Sequence, residues 1–265
     1  MRYCISLSIK IKASLLKLKY LAFFAVISFF IVNSKIVCSE LGLFDNGETL
    51  RYKIKYMGIL PIGTIEFKVD KIYDEIDKQK YKFLLTGVTE NLLRPIFWAR
   101  FKAESLWDAK DMCSIEYKEE LERKGREKRT KILIFDQVNH VLTNIHGHKI
   151  KIFPYCQDPL SLFYYIRKLE LQIGKTCVVY LNGSKKNYKI VLEPLREKIF
   201  RVTNKSFSCF KIKVKITKIE FNGEERCVGK GYLLLTKEEP RLLFQVKIMG
   251  SFGLISLNLS GDHYR

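Results

Sequence analysis

The sequence has few of the residues that build catalytic and metal centres. Only four histidines occur in 265 residues, and the one close pair is His146 and His148 in an H-x-H pattern. A structural metal site normally needs four ligands, and no cysteine or further histidine stands at the usual spacing from this pair. A G-x-S-x-G elbow, a Walker-type phosphate loop and a dinucleotide-binding glycine fingerprint are also missing. The sequence therefore predicts no catalytic residue, no metal site and no cofactor.

A complete set of disulfides is excluded as well. Five of the seven cysteines follow residue 39, which is an odd number, and no C-x-x-C motif occurs. If Asn222-Gly223 is a hairpin turn, Cys227 faces about Lys218 and lies far from Cys209, whereas a disulfide needs Cα atoms within about 7 Å. A Cys156–Cys177 bond remains an open alternative, because these two residues bracket the one predicted helix.

Acidic residues are absent from residues 1–39, where a basic segment precedes a short apolar run. The run from Leu21 to Val32 is about a dozen residues long, whereas a membrane-spanning helix needs roughly 20. Val37 and Ser39 fit positions −3 and −1 of a signal-peptidase site. Residues 1–39 are therefore predicted to be a signal peptide that is cleaved between Ser39 and Glu40.

This segment has two other interpretations. Lys35-Ile36-Val37 could lengthen the apolar run into an uncleaved anchor. Cys38 could carry a lipid, although Lys35 stands where a lipoprotein signal favours leucine. The signal peptide predicts export, to the periplasm or to the periplasmic face of an outer membrane.

The charge of the chain indicates the chemistry of its partners. The chain carries a formal charge of +19, and removing the six basic residues of 1–39 leaves +13 on residues 40–265. For an exported protein, this charge favours anionic envelope components, such as phospholipid or lipopolysaccharide headgroups, over nucleic acid. The alternative is that the lysines form only a solvated face, since most of them alternate with apolar residues.

Alternation of apolar and polar residues predicts β-strands along most of the chain. Leu50 to Tyr56 alternates with arginine and lysine, and Phe210 to Ile216 alternates with lysine. The alternation changes phase near Thr217-Lys218, which predicts a β-bulge. Residues 40–265 are therefore predicted to form a single, mainly β envelope domain: a large curved antiparallel sheet, either a half-barrel or two layers, with one short helix.

That helix is predicted from Leu160 to Leu169, because Asp158 is a good N-cap residue and Pro159 suits the first helical position. Arg167 shares one stripe of the helix with large apolar residues, and a charge on such a face needs a partner. One interpretation is a clamp to a carboxylate or to the backbone that fixes the helix to the sheet. The other is an arginine that awaits an anionic headgroup at the mouth of a cavity.

Several segments together resemble the bacterial domain-of-unknown-function 3108 family. They are G-E-T-L-R-Y-K-I-K-Y-M-G-I-L-P-I-G-T-I-E-F-K-V (Gly47–Val69, with Gly63 at the recurrent glycine of the family), D-P-L-S-L-F-Y-Y-I-R (Asp158–Arg167), the strand ending in Ile134-Phe135-Asp136, and Leu233–Leu259 with Pro240-Arg241. The resemblance covers roughly residues 44–260. It implies an exported, mainly antiparallel β protein of the cell envelope and no established activity.

The predicted function is non-enzymatic binding or carriage of a hydrophobic, lipid-like ligand on the inner face of the sheet. Side chains of one parity gather on one face of a strand, and the residues predicted to contact the ligand are Tyr52, Ile54, Tyr56, Ile65, Phe67, Val69 and Arg167. The alternative is a structural or assembly partner of other envelope proteins, whose interior is filled by its own side chains.

Overall fold

The computed structural model describes residues 43–75, 78–90, 98–202 and 205–260. The predicted signal peptide and its cleavage site between Ser39 and Glu40 lie outside these residues. The described residues form fourteen strands and one helix. Their bounds are β1 Thr49–Tyr56, β2 Leu60–Glu75, β3 Lys78–Thr89, β4 Ala99–Asp108, β5 Cys113–Arg123, β6 Arg126–Asp136, β7 Val141–Asn144, β8 Lys149–Lys151, α1 Ser161–Lys168, β9 Cys177–Asn182, β10 Asn187–Val202, β11 Lys205–Ile219, β12 Glu225–Thr236, β13 Leu243–Gly250 and β14 Gly253–Leu259.

All fourteen strands belong to one antiparallel sheet, in the order β8-β7-β6-β5-β4-β3-β2-β1-β14-β13-β12-β11-β10-β9. Neighbouring strands in the sheet are also consecutive in the chain everywhere except at the centre, where β1 pairs with β14. That pairing joins the two halves of the chain, and the short edge strands β8 and β9 end the sheet. The predicted fold class is confirmed: a large, mainly antiparallel β-sheet with one short helix.

The sheet curls until its two edges approach each other. On one side Lys131 Nζ donates to the carbonyl oxygen of Gly183 at 3.0 Å. Asn187 Nδ2 donates to the carbonyl oxygen of Lys151 at 3.0 Å, and the segment after β8 bonds to β9 through Gln157 and Leu181. Because a sheet of this size must curl, close or split, these contacts show that it curls. The edges are bridged by side chains and a connecting segment, and β8 and β9 do not pair with each other.

Two local predictions match the structure, the second only in part. The pairing of β11 with β12 shifts register between Ile216 and Thr217, where the phase change predicted a bulge. The helix begins at Ser161, two residues after the predicted first helical position Pro159, and ends at Lys168, one residue before the predicted Leu169. The N-cap residue is Leu160 and not Asp158, but Asp158 still satisfies the start of the helix, because its Oδ1 accepts hydrogen bonds from the backbone nitrogens of Leu160 at 2.7 Å and Ser161 at 3.0 Å.

The apolar face of the curled sheet turns inward and packs around α1. Seven of the eight residues of α1 are buried, and one continuous cluster of buried apolar residues extends from Phe44 to Leu259. Most lysines and arginines of the same strands alternate with these residues and are exposed or half-buried, whereas Arg123 is buried. In the described residues, α1 is the one helix, and it is not long and apolar enough to cross a membrane.

Candidate functional site

The structure brings the predicted ligand-contacting residues of β1 and β2 together on the inner face. Tyr52 lies directly opposite Ile65, in the antiparallel register of the two strands. Tyr52, Ile54, Ile65, Phe67 and Val69 are all buried, and Tyr56 is half-buried at the end of β1. We call these six residues together with Arg167 the interior site.

Helix α1 occupies the space in front of the interior site. The ring of Phe163 stacks on Phe67, with 3.9 Å between ring centroids, and meets Tyr52 edge-on at 5.5 Å. The next residue, Tyr164, stacks on Phe83 of β3 at 3.8 Å. Aromatic pairs at these distances add to the stability gained from burial. A ligand on this face would therefore have to displace the helix.

Arg167 pairs with a carboxylate and with a backbone carbonyl, as in the first of the two interpretations of its position in the sequence. Its two terminal nitrogens donate to Glu48 Oε1 and Oε2, each at 2.6 Å, and its Nε donates to the carbonyl oxygen of Arg241 at 2.5 Å. The guanidinium also lies over the rings of Phe44 and Tyr164. Desolvation alone would lower the pKa of Arg167, but hydrogen bonding and attraction from Glu48 hold this pKa above its ordinary value. A headgroup could bind here only by displacing Glu48.

A second buried polar cluster surrounds the carboxylate of Asp158. Besides capping α1, this carboxylate accepts hydrogen bonds at Oδ2 from Ser105 Oγ at 2.6 Å and Ser114 Oγ at 2.7 Å. Ser114 and Ser161 also share a hydrogen bond of 2.6 Å between their hydroxyls. Burial raises the pKa of Asp158, although the hydrogen bonds from Ser105, Ser114 and the helix backbone oppose the shift. The sequence predicted the role of Asp158 at the helix start but not the two serines of β4 and β5.

The geometry of the Asp158 cluster is that of a structural network. All three serine hydroxyls hydrogen-bond within the cluster, and no imidazole is among its hydrogen-bond partners in the described residues. His146 and His148, which form the H-x-H pattern of the sequence, lie on an exposed turn with 6.5 Å between their ring centroids. Within the described residues, no three metal-ligating side chains cluster.

All five described cysteines are free, so the open alternative of a Cys156–Cys177 bond is not seen. Cys227 lies opposite Thr217 in the β11–β12 register, whereas Cys209 lies opposite Thr236 at the other end of the pair. This separation agrees with the prediction that Cys209 and Cys227 do not bond. Burial raises the pKa of Cys209 to about 11. A thiol with a raised pKa forms little thiolate at neutral pH and is a poor nucleophile.

Charged residues are distributed unequally among the strands of the sheet. Strands β2 to β6 carry thirteen basic and twelve acidic residues. The contiguous strands β1, β14, β13, β12 and β11 carry eleven basic residues and one acidic residue, Glu225. We call the outward side of these five strands the cationic face. The positive charge of the described chain is therefore concentrated on one region of the sheet.

The two regions also differ in ion pairing. In strands β2 to β6, which we call the neutral region, Glu104 bonds to Lys102 at 2.7 Å and to Lys82 at 3.2 Å. Glu120 bonds to Lys118 at 3.2 Å and to Lys128 at 2.8 Å. The one acid of the cationic face pairs with Lys189 of β10, outside that face. A cluster of four lysines on the cationic face makes no ion pair with any residue whose side chain the structure describes: Lys55, Lys215, Lys230 and Lys247.

Like charges stand directly opposite each other at the centre of this surface. Lys215 of β11 pairs in register with Lys230 of β12, and both side chains are exposed. Directly opposite side chains in an antiparallel pair have Cβ atoms about 4.5–5.5 Å apart, and like charges at this distance destabilise the sheet. An anion bound between the two lysines would remove the repulsion.

A family model described as "Protein of unknown function (DUF3108)" matches residues 51–260, which confirms the resemblance found in the sequence. A crystal structure of a beta-barrel-like protein of domain of unknown function DUF1849 from Brucella abortus is similar, with a TM-score of 0.52 and 8% identity over 80% of this chain and 94% of that chain.

A second solved structure, a protein with a YmcC-like fold from Bacteroides fragilis, has a TM-score of 0.38 and 12% identity over 88% of this chain and 97% of that chain. No curated protein matches the sequence. At these identities the Brucella likeness shows the fold alone, a curled sheet similar to a barrel. Neither the family description nor the two structures name a catalytic activity.

Proposed function

The chain belongs to the DUF3108 family, whose function is unknown, and we propose that it is an exported, non-enzymatic protein that binds anionic lipid headgroups of the cell envelope on its cationic face. The observation that carries the proposal is the unequal charge of the sheet. Eleven basic residues and one acidic residue share five adjacent strands, beside a region of nearly equal charge.

The energetics of this surface favour a membrane over a single small anion. A lysine or arginine near an anionic bilayer contributes about 1 kcal/mol, and the attraction falls off within a Debye length of about 8 Å at physiological salt. Lys213 and Lys247 flank Tyr232 in one cross-strand row, and Lys215 and Lys230 are neighbours in the next. Adjacent rows on a broad sheet can approach many headgroups at once, whereas one small anion would reach only two or three lysines.

The interior site supports a different role in this proposal. Its residues are packed against Phe163 of α1, and Arg167 is paired with Glu48. They contribute a filled core that keeps the outer face in its curved shape. The prediction that an acyl chain is carried in the interior requires α1 to leave the sheet. Native mass spectrometry of protein purified from its own envelope, followed by organic extraction, tests that alternative, because a carrier would retain a lipid-sized added mass.

Vesicle sedimentation tests the proposal. We expect the protein to sediment with vesicles that contain phosphatidylglycerol and to remain in solution with vesicles of phosphatidylcholine alone. Raising the salt from about 0.1 to 1 M shortens the Debye length from about 10 to 3 Å, so the bound fraction should fall steeply. Equal binding to both vesicles, or no binding to either, would contradict lipid recognition and leave assembly with envelope proteins as the better account.

A further inference from the structure

Two neighbouring turns at one end of the sheet contain no charged residue. The β1–β2 turn lies in the stretch M-G-I-L-P-I-G (residues 57–63), and the β13–β14 turn lies in I-M-G-S-F-G-L-I (residues 248–255). The chain as a whole is 28% charged, and its other described hairpin turns, such as Lys124-Gly125 between β5 and β6, each contain a charged residue or a histidine. The two turns touch, because the backbone nitrogen of Met57 donates to the carbonyl oxygen of Leu254 at 2.7 Å.

Large apolar side chains project into solvent from these turns and from the strand ends beside them. Met57 is 50% exposed, Ile59 80%, Leu60 41% and Met249 48%. We call these four residues the apolar tip. Isolated exposed apolar residues are common, but a contiguous group of them marks an interaction surface. The tip lies at the end of the sheet opposite to Val138, which follows β6.

The apolar tip is continuous with the cationic face. Met249 lies opposite Leu254 on one side and opposite Lys230 on the other, and Lys230 lies opposite Lys215. One cross-strand row therefore passes from apolar side chains to exposed lysines. A bilayer surface offers the same order, with acyl chains beside anionic phosphates, and proteins that bind at this interface combine buried apolar residues with flanking cations.

We propose that the apolar tip inserts among the lipids of an anionic bilayer while the adjoining lysines contact the headgroups. The inference rests on the proposed function and deepens it, since it adds apolar insertion to electrostatic binding and fixes which end of the sheet faces the membrane. The lysines select anionic lipid, and the tip makes part of the binding resistant to salt.

Ile59→Asp is the test, with Val138→Asp as a matched control. Both residues are β-branched, both are largely exposed at 80% and 88%, and both changes lower the net charge equally. We expect Ile59→Asp to weaken partitioning into phosphatidylglycerol-containing vesicles about tenfold or more, and Val138→Asp to leave it nearly unchanged. Injected beneath a lipid monolayer, the wild type and Val138→Asp should raise the surface pressure, and Ile59→Asp should not. Ile59→Ser, which adds no charge, should behave like Ile59→Asp.

The outcomes separate the two proposals. If the wild type binds anionic vesicles but both aspartate variants bind and insert as the wild type does, insertion of the tip is overturned and headgroup binding stands. If the wild type does not bind anionic vesicles, headgroup binding fails and insertion fails with it. Thermal melting of each variant establishes that it is folded, and an unchanged Tm is expected because the substituted side chains are exposed.

Discussion

Arg167 and Glu48 form a two-pronged ion pair across the interior of the sheet, although 119 residues separate them in the chain. Each terminal guanidinium nitrogen lies 2.6 Å from its own carboxylate oxygen. The side chain of Arg167 is only 2% exposed and that of Glu48 13% exposed. The pair fastens α1 to the segment that precedes β1, and so keeps the helix over the interior site.

We expect Arg167→Ala to destabilise the protein strongly. Removing one partner of a buried ion pair leaves the other charge uncompensated and costs about 3–5 kcal/mol, which for a domain of this size lowers Tm by roughly 6–20 °C. Arg167→Lys should recover only part of this loss, because an ammonium group cannot make the two-pronged contact. Thermal denaturation checks both variants.

Lys168→Ala is the control for this prediction. Lys168 follows Arg167 in the same helix and pairs with Glu239, whose side chain is 59% exposed. The side chain of Lys168 is 17% exposed, but its partner is open to solvent, and a pair screened in this way contributes about 1 kcal/mol or less. Equal shifts of Tm for Arg167→Ala and Lys168→Ala would contradict the clamp.

Asp158 should make stability depend on pH. Burial raises its pKa in the folded protein, so above the ordinary aspartate pKa of about 3.9 the folded chain retains a proton that the unfolded chain releases. The stability from this residue is thus complete below about pH 3.9 and is lost as the pH rises through the raised pKa. Asp158→Asn keeps an oxygen that can cap α1 but removes this titration.

Urea denaturation at a series of pH values checks the prediction. The free energy of unfolding of the wild type should fall with rising pH more steeply than that of Asp158→Asn. Asp158 interacts with the titrating side chains of Tyr117, Lys131 and Cys156, and these residues are the same in both proteins. Parallel curves would mean that the hydrogen bonds from Ser105 and Ser114 fully offset the cost of burial.

Gly231→Ala should disrupt the centre of the cationic half of the sheet. A Cβ atom at Gly231 would overlap the carbonyl oxygen of Lys247 on the neighbouring strand β13. Forcing strands β12 and β13 apart should cost about 1–3 kcal/mol, as overpacking does in other cores. Gly250→Ala is the control, because the nearest atom to its Cβ would be the carbonyl oxygen of Val228 at 3.4 Å. Equal denaturation midpoints would contradict the close approach.

Processing at the N-terminus remains a prediction from sequence. Protein isolated from the envelope fraction should begin at Glu40, because Val37 and Ser39 fit the positions before a signal-peptidase cut. Intact-mass measurement decides the question. A mass that includes residues 1–39 would show that the apolar run from Leu21 to Val32 is kept as an anchor.

Local patterns in the sequence predicted the elements well. Strand alternation is a property of consecutive residues, so the strands, the bulge at Thr217 and the role of Asp158 at the start of α1 could all be recognised. Contacts between distant segments could not. Glu48 as the partner of Arg167, and Ser105 and Ser114 around Asp158, depend on how the sheet wraps around the helix, and no local pattern encodes that wrapping.

The cationic face could be predicted from the sequence only in part. The lysine-rich alternation from Lys211 to Lys215 was recognised and assigned to an outer face. Recognising one continuous surface required the strand order, in which β1 from the start of the chain lies beside β14 from its end. Only then do Lys55 and Lys247 lie in one cross-strand row, on either side of Ser256.

The most direct test of headgroup binding compares two pairs of lysine substitutions. Lys215→Gln with Lys230→Gln removes the opposed pair from the cationic face, and Lys110→Gln with Lys124→Gln removes the same charge from exposed positions next to the neutral region. We expect the first double variant to bind phosphatidylglycerol-containing vesicles about thirtyfold more weakly than the wild type, since each lysine contributes about 1 kcal/mol, and the second to bind almost as tightly as the wild type. Equal affinities for the two double variants would show that total charge and not the cationic face determines binding, and would contradict the account.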